Sequence, residues 1–313
     1  MNGLELSRAF FEEWGRPMLE REFPSLLPYL AAGLTGSGSE CFGYDDQVSR
    51  DHDFEPGFCL FLPEEEIVDR RSAFLLERAY AKLPREFRGV RRPVLLPVGG
   101  ARRGVLRLGD FFEEKTGSRD GTLTAEGWLT LPEASLAEAV NGEVYFANYG
   151  ELTRIREALR HYPEDVRRKR LAGQLLLMAQ AGQYNYPRCL KHGETGAAQL
   201  ASAEFVRSAL SALFLLGRRY QPYYKWAFRA LRELPGMAGE AEALERILST
   251  GNSDAEAKEK TALIEAVCRG VLERLAAEGL SGASGNELEA HAYAVNDRIQ
   301  DPGLRTMHIL AAV

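Results

Sequence analysis

The stretch GSGSECFGYDDQVSRDHDFEPGFCLFL, residues 36–62, decides how this chain is read. It runs from a glycine-serine turn through Gly43 and Ser49 to Asp51-His52-Asp53, and it ends in an apolar segment. Gly36 to Ser39 cannot be helix interior, because glycine and serine here cluster as turn formers. Phe54 to Leu62 is aromatic and apolar and reads as a strand. Residues i and i+2 of an extended chain point to the same side, so Asp51 and Asp53 present two carboxylates together. Adjacent carboxylates repel each other, and a divalent cation that favours oxygen ligands, Mg²⁺ or Mn²⁺, relieves that repulsion. Upstream, the turn brings backbone N–H groups close to a triphosphate, because glycine permits close approach, and Ser39 adds a hydroxyl donor. These parts suit in-line displacement at phosphorus: the cation stabilises the developing charge and acidifies an attacking hydroxyl. A lone Asp-x-Asp is most often solvated surface. A Gly-Ser turn between a helix and the strand that carries the pair is far more specific.

Outward from this stretch, residues 4 to 33 read as helix, with Leu4, Leu6, Phe10, Phe11, Trp14, Met18 and Leu19 near helical spacing. Pro17, Pro24 and Pro28 break it into pieces. Glu64 to Leu83 follows Pro63 and reads as a helix with an acidic first turn. Val94 to Val98 and Gly104 to Leu108 read as strands joined by a Gly99-Gly100 turn, and Asp110 to Lys115 as a short helix. This order predicts a small mixed-sheet α/β domain over residues 1–148. Beyond it the pattern is almost wholly helical: Glu151 to His161, Pro163 to Ala181, Ala197 to Arg218, Tyr223 to Leu234, Glu240 to Leu248, Ala255 to Glu278 and a final short helix. The predicted class is therefore α+β, with a helical bundle domain over residues 149–313.

The length of 313 residues and 45% hydrophobic content allow two buried cores. A net charge of -6 disfavours a long nucleic-acid partner without excluding one. Four scattered cysteines, Cys41, Cys59, Cys189 and Cys268, form no CxxC pair, which argues against a disulfide framework or a structural zinc. The N-terminal MNGLELSRAFFEEWGRP has neither the apolar core of a signal peptide nor a transit pattern. No apolar run is long enough to span a bilayer. A cytoplasmic protein without membrane association is expected.

GSGSECFGYDDQVSRDHD resembles the glycine-serine and Asp-x-Asp signature of the DNA polymerase β-like nucleotidyltransferase superfamily, which includes aminoglycoside and lincosamide adenylyltransferases. It is most similar to a bacterial domain-of-unknown-function family assigned to that superfamily. RRYQPYYKWAFRALRELP, residues 218–235, and HYPEDVRRKRLAGQ, from His161, are similar to that family's helical C-terminal region. The resemblance implies a nucleotide and metal on the N-terminal sheet and a helical domain that holds the acceptor or phosphates. By that motif Gly38 and Ser39 match the glycine-serine pair, and Asp51 and Asp53 match the metal ligands. Ser49 stands for the motif serine, although Arg50 separates it from Asp51. A third carboxylate is absent from Gly104 to Leu108, and Asp110 is the nearest candidate for that catalytic role.

Lys225, among Tyr223, Tyr224 and Trp226, is a candidate phosphate ligand, or else a lysine snorkelling over aromatic core. Asp45 and Asp46 read as turn caps. Arg50 and His52 fall on the opposite side of the strand from Asp51 and Asp53. The run Arg167 to Arg170 reads as a solvated helix face or a polyanion contact. The expected activity is Mg²⁺-dependent transfer of a nucleoside monophosphate, AMP from ATP, to an acceptor hydroxyl on a small molecule or protein. Two rival readings use the same residues: a nucleotide sensor without turnover, and one half of a toxin–antitoxin pair.

Overall fold

The computed structural model describes residues 1–49, 54–92, 103–311 and 313. By internal contacts the chain forms two compact units, Met1–Leu123 with Ser135–Arg160, and Thr124–Ala134 with His161–Val313. A single cut at 148/149 would separate Glu151–Leu159 from the first unit and leave Thr124–Ala134 outside the second. The class is α+β: a small mixed sheet with helices, then an all-helical region.

The first unit begins with α1 (Gly3–Phe10), which starts at a reciprocal cap. Asn2 Oδ1 accepts from Glu5 N, and Glu5 Oε2 accepts from Asn2 N, both at 2.9 Å. One π-helical turn, Phe11–Gly15, leads into α2 (Arg16–Glu22). There the helix stops, short of the expected residue 33. Pro24 and Pro28 remove amide donors, and Ala31–Leu34 forms β1 instead. This AAGL run is buried throughout, so it carries no periodicity to distinguish strand from helix.

Strand β1 is central. It pairs antiparallel with β2 (Cys59–Leu62) on one side and with a final strand, Glu143–Ala147, on the other. β2 begins later than the expected Phe54. After it come α3 (Arg70–Ala81), capped by Asp69, and a tiny hairpin of β3 (Glu86–Phe87) and β4 (Val90–Arg91). The expected strand Val94 to Val98 and the Gly99-Gly100 turn lie outside the described residues. β5 (Gly104–Arg107) pairs parallel with β2 and passes directly into α4 (Leu108–Thr116). Then follow α5 (Ala125–Thr130), α6 (Glu133–Val140), β6 (Glu143–Ala147), which was not expected, and α7 (Glu151–Leu159). The sheet order is β5-β2-β1-β6. Leu6, Phe10, Phe11 and Leu19 of the N-terminal helices are buried with Phe58, Leu60, Leu76 and Tyr80. Phe58 meets Phe11 and Tyr80 edge-on at 5.1 and 5.0 Å.

The second unit adds to α5 a set of longer helices. α8 (Glu164–Met178) runs through a π-helical segment, Ala179–Asn185, into α9 (Tyr186–Lys191). α10 (Thr195–Leu216), α11 (Tyr224–Glu233), α12 (Ala238–Ser249), α13 (Asp254–Ala277), α14 (Leu288–Asp297) and α15 (Pro302–Thr306) follow. Among the described residues one helix, α10, is long and apolar enough to cross a membrane, and most of it is buried against its neighbours.

The basic run corrects the expectation of a solvated face. Arg167, Lys169 and Arg170 are buried, because α8 is packed by α5, α10, α14 and α15. Arg167 donates to Leu215 O, Glu164 and Glu278. Lys169 Nζ donates to Asn296 Oδ1 at 2.9 Å and Met307 O at 2.6 Å. Arg170 donates to Leu129 O at 2.9 Å and lies 3.5 Å from Glu133. Carbonyls, carboxylates and the Asn296 amide oxygen surround these cations, with Arg170 Nε left without a hydrogen bond, so the run is internal framework.

Glu133 is itself buried, and burial pushes its carboxyl above the usual 4.5 against the opposing pull of Arg170. A raised acid binds more protons folded than unfolded. Its contribution to stability is therefore complete below about pH 4.5 and is lost as pH rises through the folded value. Glu133→Gln lacks this titration. Its unfolding free energy relative to wild type is expected to climb between pH 4 and 7 in urea titrations, and a pH-independent difference would refute the assignment.

Candidate functional site

The site is built where β1 ends. Leu34 is the last strand residue, and Thr35, Gly36 and Ser37 turn away from it. Gly36 and Gly38 take φ of +110° and +120°, a region that favours glycine. Gly38 also has the Glu40 carboxylate packed where a Cβ would stand. Asn141, just before β6, holds the turn like an added strand residue. Its Oδ1 accepts from Gly36 N and its Nδ2 donates to Gly36 O, both at 2.8 Å. Thr35 Oγ1 donates to Asn141 O at 2.9 Å and accepts from Arg156 Nη1 at 3.0 Å. Arg156 Nη2 donates to Val140 O and Asn141 O at 2.8 Å. Among the described residues, no group accepts a hydrogen bond from the backbone N–H of Ser37, Gly38 or Ser39.

Thr35, Gly36 and Ser37 form one wall of a cleft of about 560 Å³. The other walls include Leu62, Glu77 of α3, Arg107 of β5, and Asp110 and Lys115 of α4. Lys115 Nζ donates to Ser37 Oγ at 2.8 Å and to Glu138 Oε2 and Glu114 Oε1 at 2.9 Å, while Ser37 Oγ donates to Glu138 at 2.6 Å. Against the opposing effect of burial, these carboxylates hold Lys115 above its ordinary value, so it stays charged. Arg107 donates to Pro63 O and Val68 O at 2.7 Å, which fixes the loop between β2 and α3.

Asp51 and Asp53 lie outside the described residues. The chain on both sides of them is tightly held. Upstream, Asp46 Oδ1 accepts from Val48 N and Ser49 N at 2.9 Å, and Ser49 Oγ accepts from Asp46 N at 2.6 Å. Ser49 thus closes a turn. Downstream, Arg103 donates to Glu55 O, Ser7 Oγ to Gly57 O at 2.6 Å, and Tyr80 Oη to Phe58 O at 2.8 Å. Arg103 also pairs with Glu40 at 2.7 Å, and both side chains are nearly without solvent exposure. This buried pair joins the turn after Gly38 to the segment after Asp53.

The other expected site residues are placed as follows. Ser39 opens a 3₁₀ turn, Ser39–Phe42, and its carbonyl accepts from Tyr44 N at 2.9 Å. Asp110 lines the cleft, but its Oδ1 accepts from Arg119 at 2.6 Å, and the same Arg119 pairs with Glu64 and Glu113. Lys225 is in the second unit at the start of α11, with Nζ 5.1 Å from the Trp226 ring centroid. Tyr223 and Tyr224 beside it are exposed. Among the described residues, no group of three His, Cys, Asp or Glu is arranged for a metal ion. Glu77 and Asp110 supply hard carboxylate oxygens to the cleft, the donor type that Mg²⁺ takes.

Lys115, Asn141 and Arg156 did not stand out in the sequence. Lys115 carried only the signal of a helix C-terminus, and Asn141 and Arg156 lie more than a hundred residues from the turn they hold. The sequence GSGS contains the glycine-serine pair twice, and the residues that line the cleft are the first pair, Gly36 and Ser37.

A family model described as a domain of unknown function (DUF4037) matches residues 128–227, from within α5 to the start of α11. The cleft residues Thr35 to Lys115 precede that match. No curated protein and no solved structure matches the chain.

Proposed function

We propose that this chain is a Mg²⁺-dependent nucleotidyltransferase that moves a nucleoside monophosphate, AMP from ATP, to an acceptor hydroxyl on a small molecule or protein. The observation that carries the reading is the glycine-serine turn at the end of the central strand. It lines a cleft of nucleotide-scale volume and leaves three consecutive amides without acceptors among the described residues. In this reading the amides of Ser37, Gly38 and Ser39 bind phosphate oxygens, and Asp51 and Asp53 hold the metal. The bound cation would supply charge neutralisation at the reacting phosphate. Asp110 orients the acceptor or its proton, with Arg119 fixing its rotamer. DNA polymerase β-like nucleotidyltransferases use such parts, which is the family resemblance noted in residues 36–53.

One observation favours a second reading, a nucleotide sensor without turnover. β5 offers no carboxylate over Gly104–Arg107, its terminal Arg107 is spent on two carbonyls, and Asp110 is ion-paired. The deciding experiment measures binding and pyrophosphate release for the four nucleoside triphosphates with Mg²⁺ or Mn²⁺, with and without cell extract as acceptor source. Metal-dependent ATP binding with release supports the transferase. Binding without release in any extract supports the sensor. No binding of any triphosphate sinks both.

A further inference from the structure

We infer that Arg156 is a positioning residue that supplies the fixed positive charge of a polyphosphate-binding turn at Thr35 to Ser39. The inference deepens the nucleotide reading of the same cleft and rests on it for the identity of the physiological ligand. Three observations carry it. First, Arg156 reaches from α7 to the base of the turn, donating to Thr35 Oγ1 at 3.0 Å and to two carbonyls, Val140 O and Asn141 O, at 2.8 Å. Second, all three acceptors are neutral, and among the described residues no carboxylate pairs with it. Two other cations near the turn are already matched, Lys115 by Glu114 and Glu138 and Arg103 by Glu40. Third, the amides of Ser37, Gly38 and Ser39 have no acceptor among the described residues, and the turn they belong to lines the open cleft.

A half-buried charge without a counterion is costly, and an anion bound at the turn it supports offsets the cost. Burial, with some help from Arg160, already pushes the Arg156 guanidinium down to about 10. It therefore remains a cation at neutral pH, while the strain of holding it there favours a ligand of opposite charge. Asn141 completes the device. By taking both backbone groups of Gly36, it fixes the turn before ligand arrives, so little ordering is needed on binding. The structure thus assigns to Arg156 the field, to Asn141 the shape, and to the three amides the direct contacts.

The probe is inorganic tripolyphosphate in Mg²⁺ buffer, titrated calorimetrically against the full chain, with ATP and adenosine in parallel. Arg156→Gln is expected to weaken tripolyphosphate and ATP by roughly 10- to 100-fold, as expected for loss of one unit charge at intermediate dielectric, and to leave adenosine nearly unchanged. Arg156→Lys keeps the charge and loses the fork, and is expected to bind tripolyphosphate within about 5-fold of wild type. A merely structural role would weaken all three ligands together. Wild-type affinity in Arg156→Gln overturns the inference, as does failure of the wild-type chain to bind tripolyphosphate. If Arg156→Gln does not fold, Arg156→Lys decides, and loss beyond 10-fold in that variant overturns it. The two readings fail separately. Charge-dependent tripolyphosphate binding without ATP turnover keeps the anion site and rejects the transferase. ATP turnover undiminished by Arg156→Gln does the reverse.

Discussion

The double variant Asp51→Asn/Asp53→Asn is expected to lose metal-dependent pyrophosphate release by about 10³-fold or more, which is close to 4 kcal/mol of transition-state stabilisation. Each single variant is expected to lose nearly as much, because two ligands of one cation act as a unit and their effects do not add. The amide keeps the size of the carboxylate but not its charge, so it no longer attracts Mg²⁺. Thermal stability is expected to hold or rise, since a like-charge pair has been neutralised. This distinguishes the proposal from a structural role for the two aspartates, in which activity and melting temperature would fall together. The Mg²⁺ dependence of ATP binding is expected to vanish in the same variant, and a sensor would show that loss with no turnover to lose. A folded double variant that turns over ATP at the wild-type rate would sink the metal assignment.

How far the molecule could be read from its residues depends on where the interactions are local. The helical region was legible from Glu151 to Glu278 because its apolar residues recur at helical spacing, and observed helices α7, α8 and α10 to α13 fall within those expected segments to a few residues. α9 was missed, since the expected segment stopped at Ala181 where the π-helical turn carries the chain on. Two strands of the four-stranded sheet were not legible. β1 is four buried residues with no alternation, and β6 has all five residues half-buried, so neither shows the period of two that marks a strand. The charges of α8 misled for a related reason. Hydrophilic residues suggest solvent, but the acceptors that bury Arg167, Lys169 and Arg170 come from α5, α10, α14 and the chain after α15. At the candidate site the composition of the turn was readable, because glycine at +110° and +120° leaves its mark on residue type. Its supports were not. Asn141 and Arg156 are ordinary residues whose meaning lies in contacts across more than a hundred positions.

Arg103→Met is expected to destabilise the first unit by about 3–5 kcal/mol, because it leaves Glu40 buried beside no cation. The contrast with Arg8→Met sets the scale. Arg8 and Glu143 also pair, but each is about 40% exposed, and such a pair contributes about 1 kcal/mol or less. Salt separates them further: 1 M NaCl screens the exposed pair and barely touches the buried one. The measurement is urea unfolding followed by tryptophan fluorescence. The chain has three tryptophans, of which Trp14 lies in the first unit and Trp128 and Trp226 in the second. A Trp128→Phe/Trp226→Phe background therefore reports the unit that holds the pair. Glu40→Met/Arg103→Met is expected to recover much of the loss, since it removes the stranded charge along with its partner. Turnover is not expected to recover with it. Arg103 donates to Glu55 O, two residues beyond Asp53, and methionine cannot replace that bond. Stability restored without activity would show that the pair does two separable things, closing the core under Gly38 and aligning the segment that follows Asp53. An Arg103→Met chain no less stable than Arg8→Met would mean that Glu40 is not the buried, singly compensated charge its surroundings describe, and the framework assigned to it would fall.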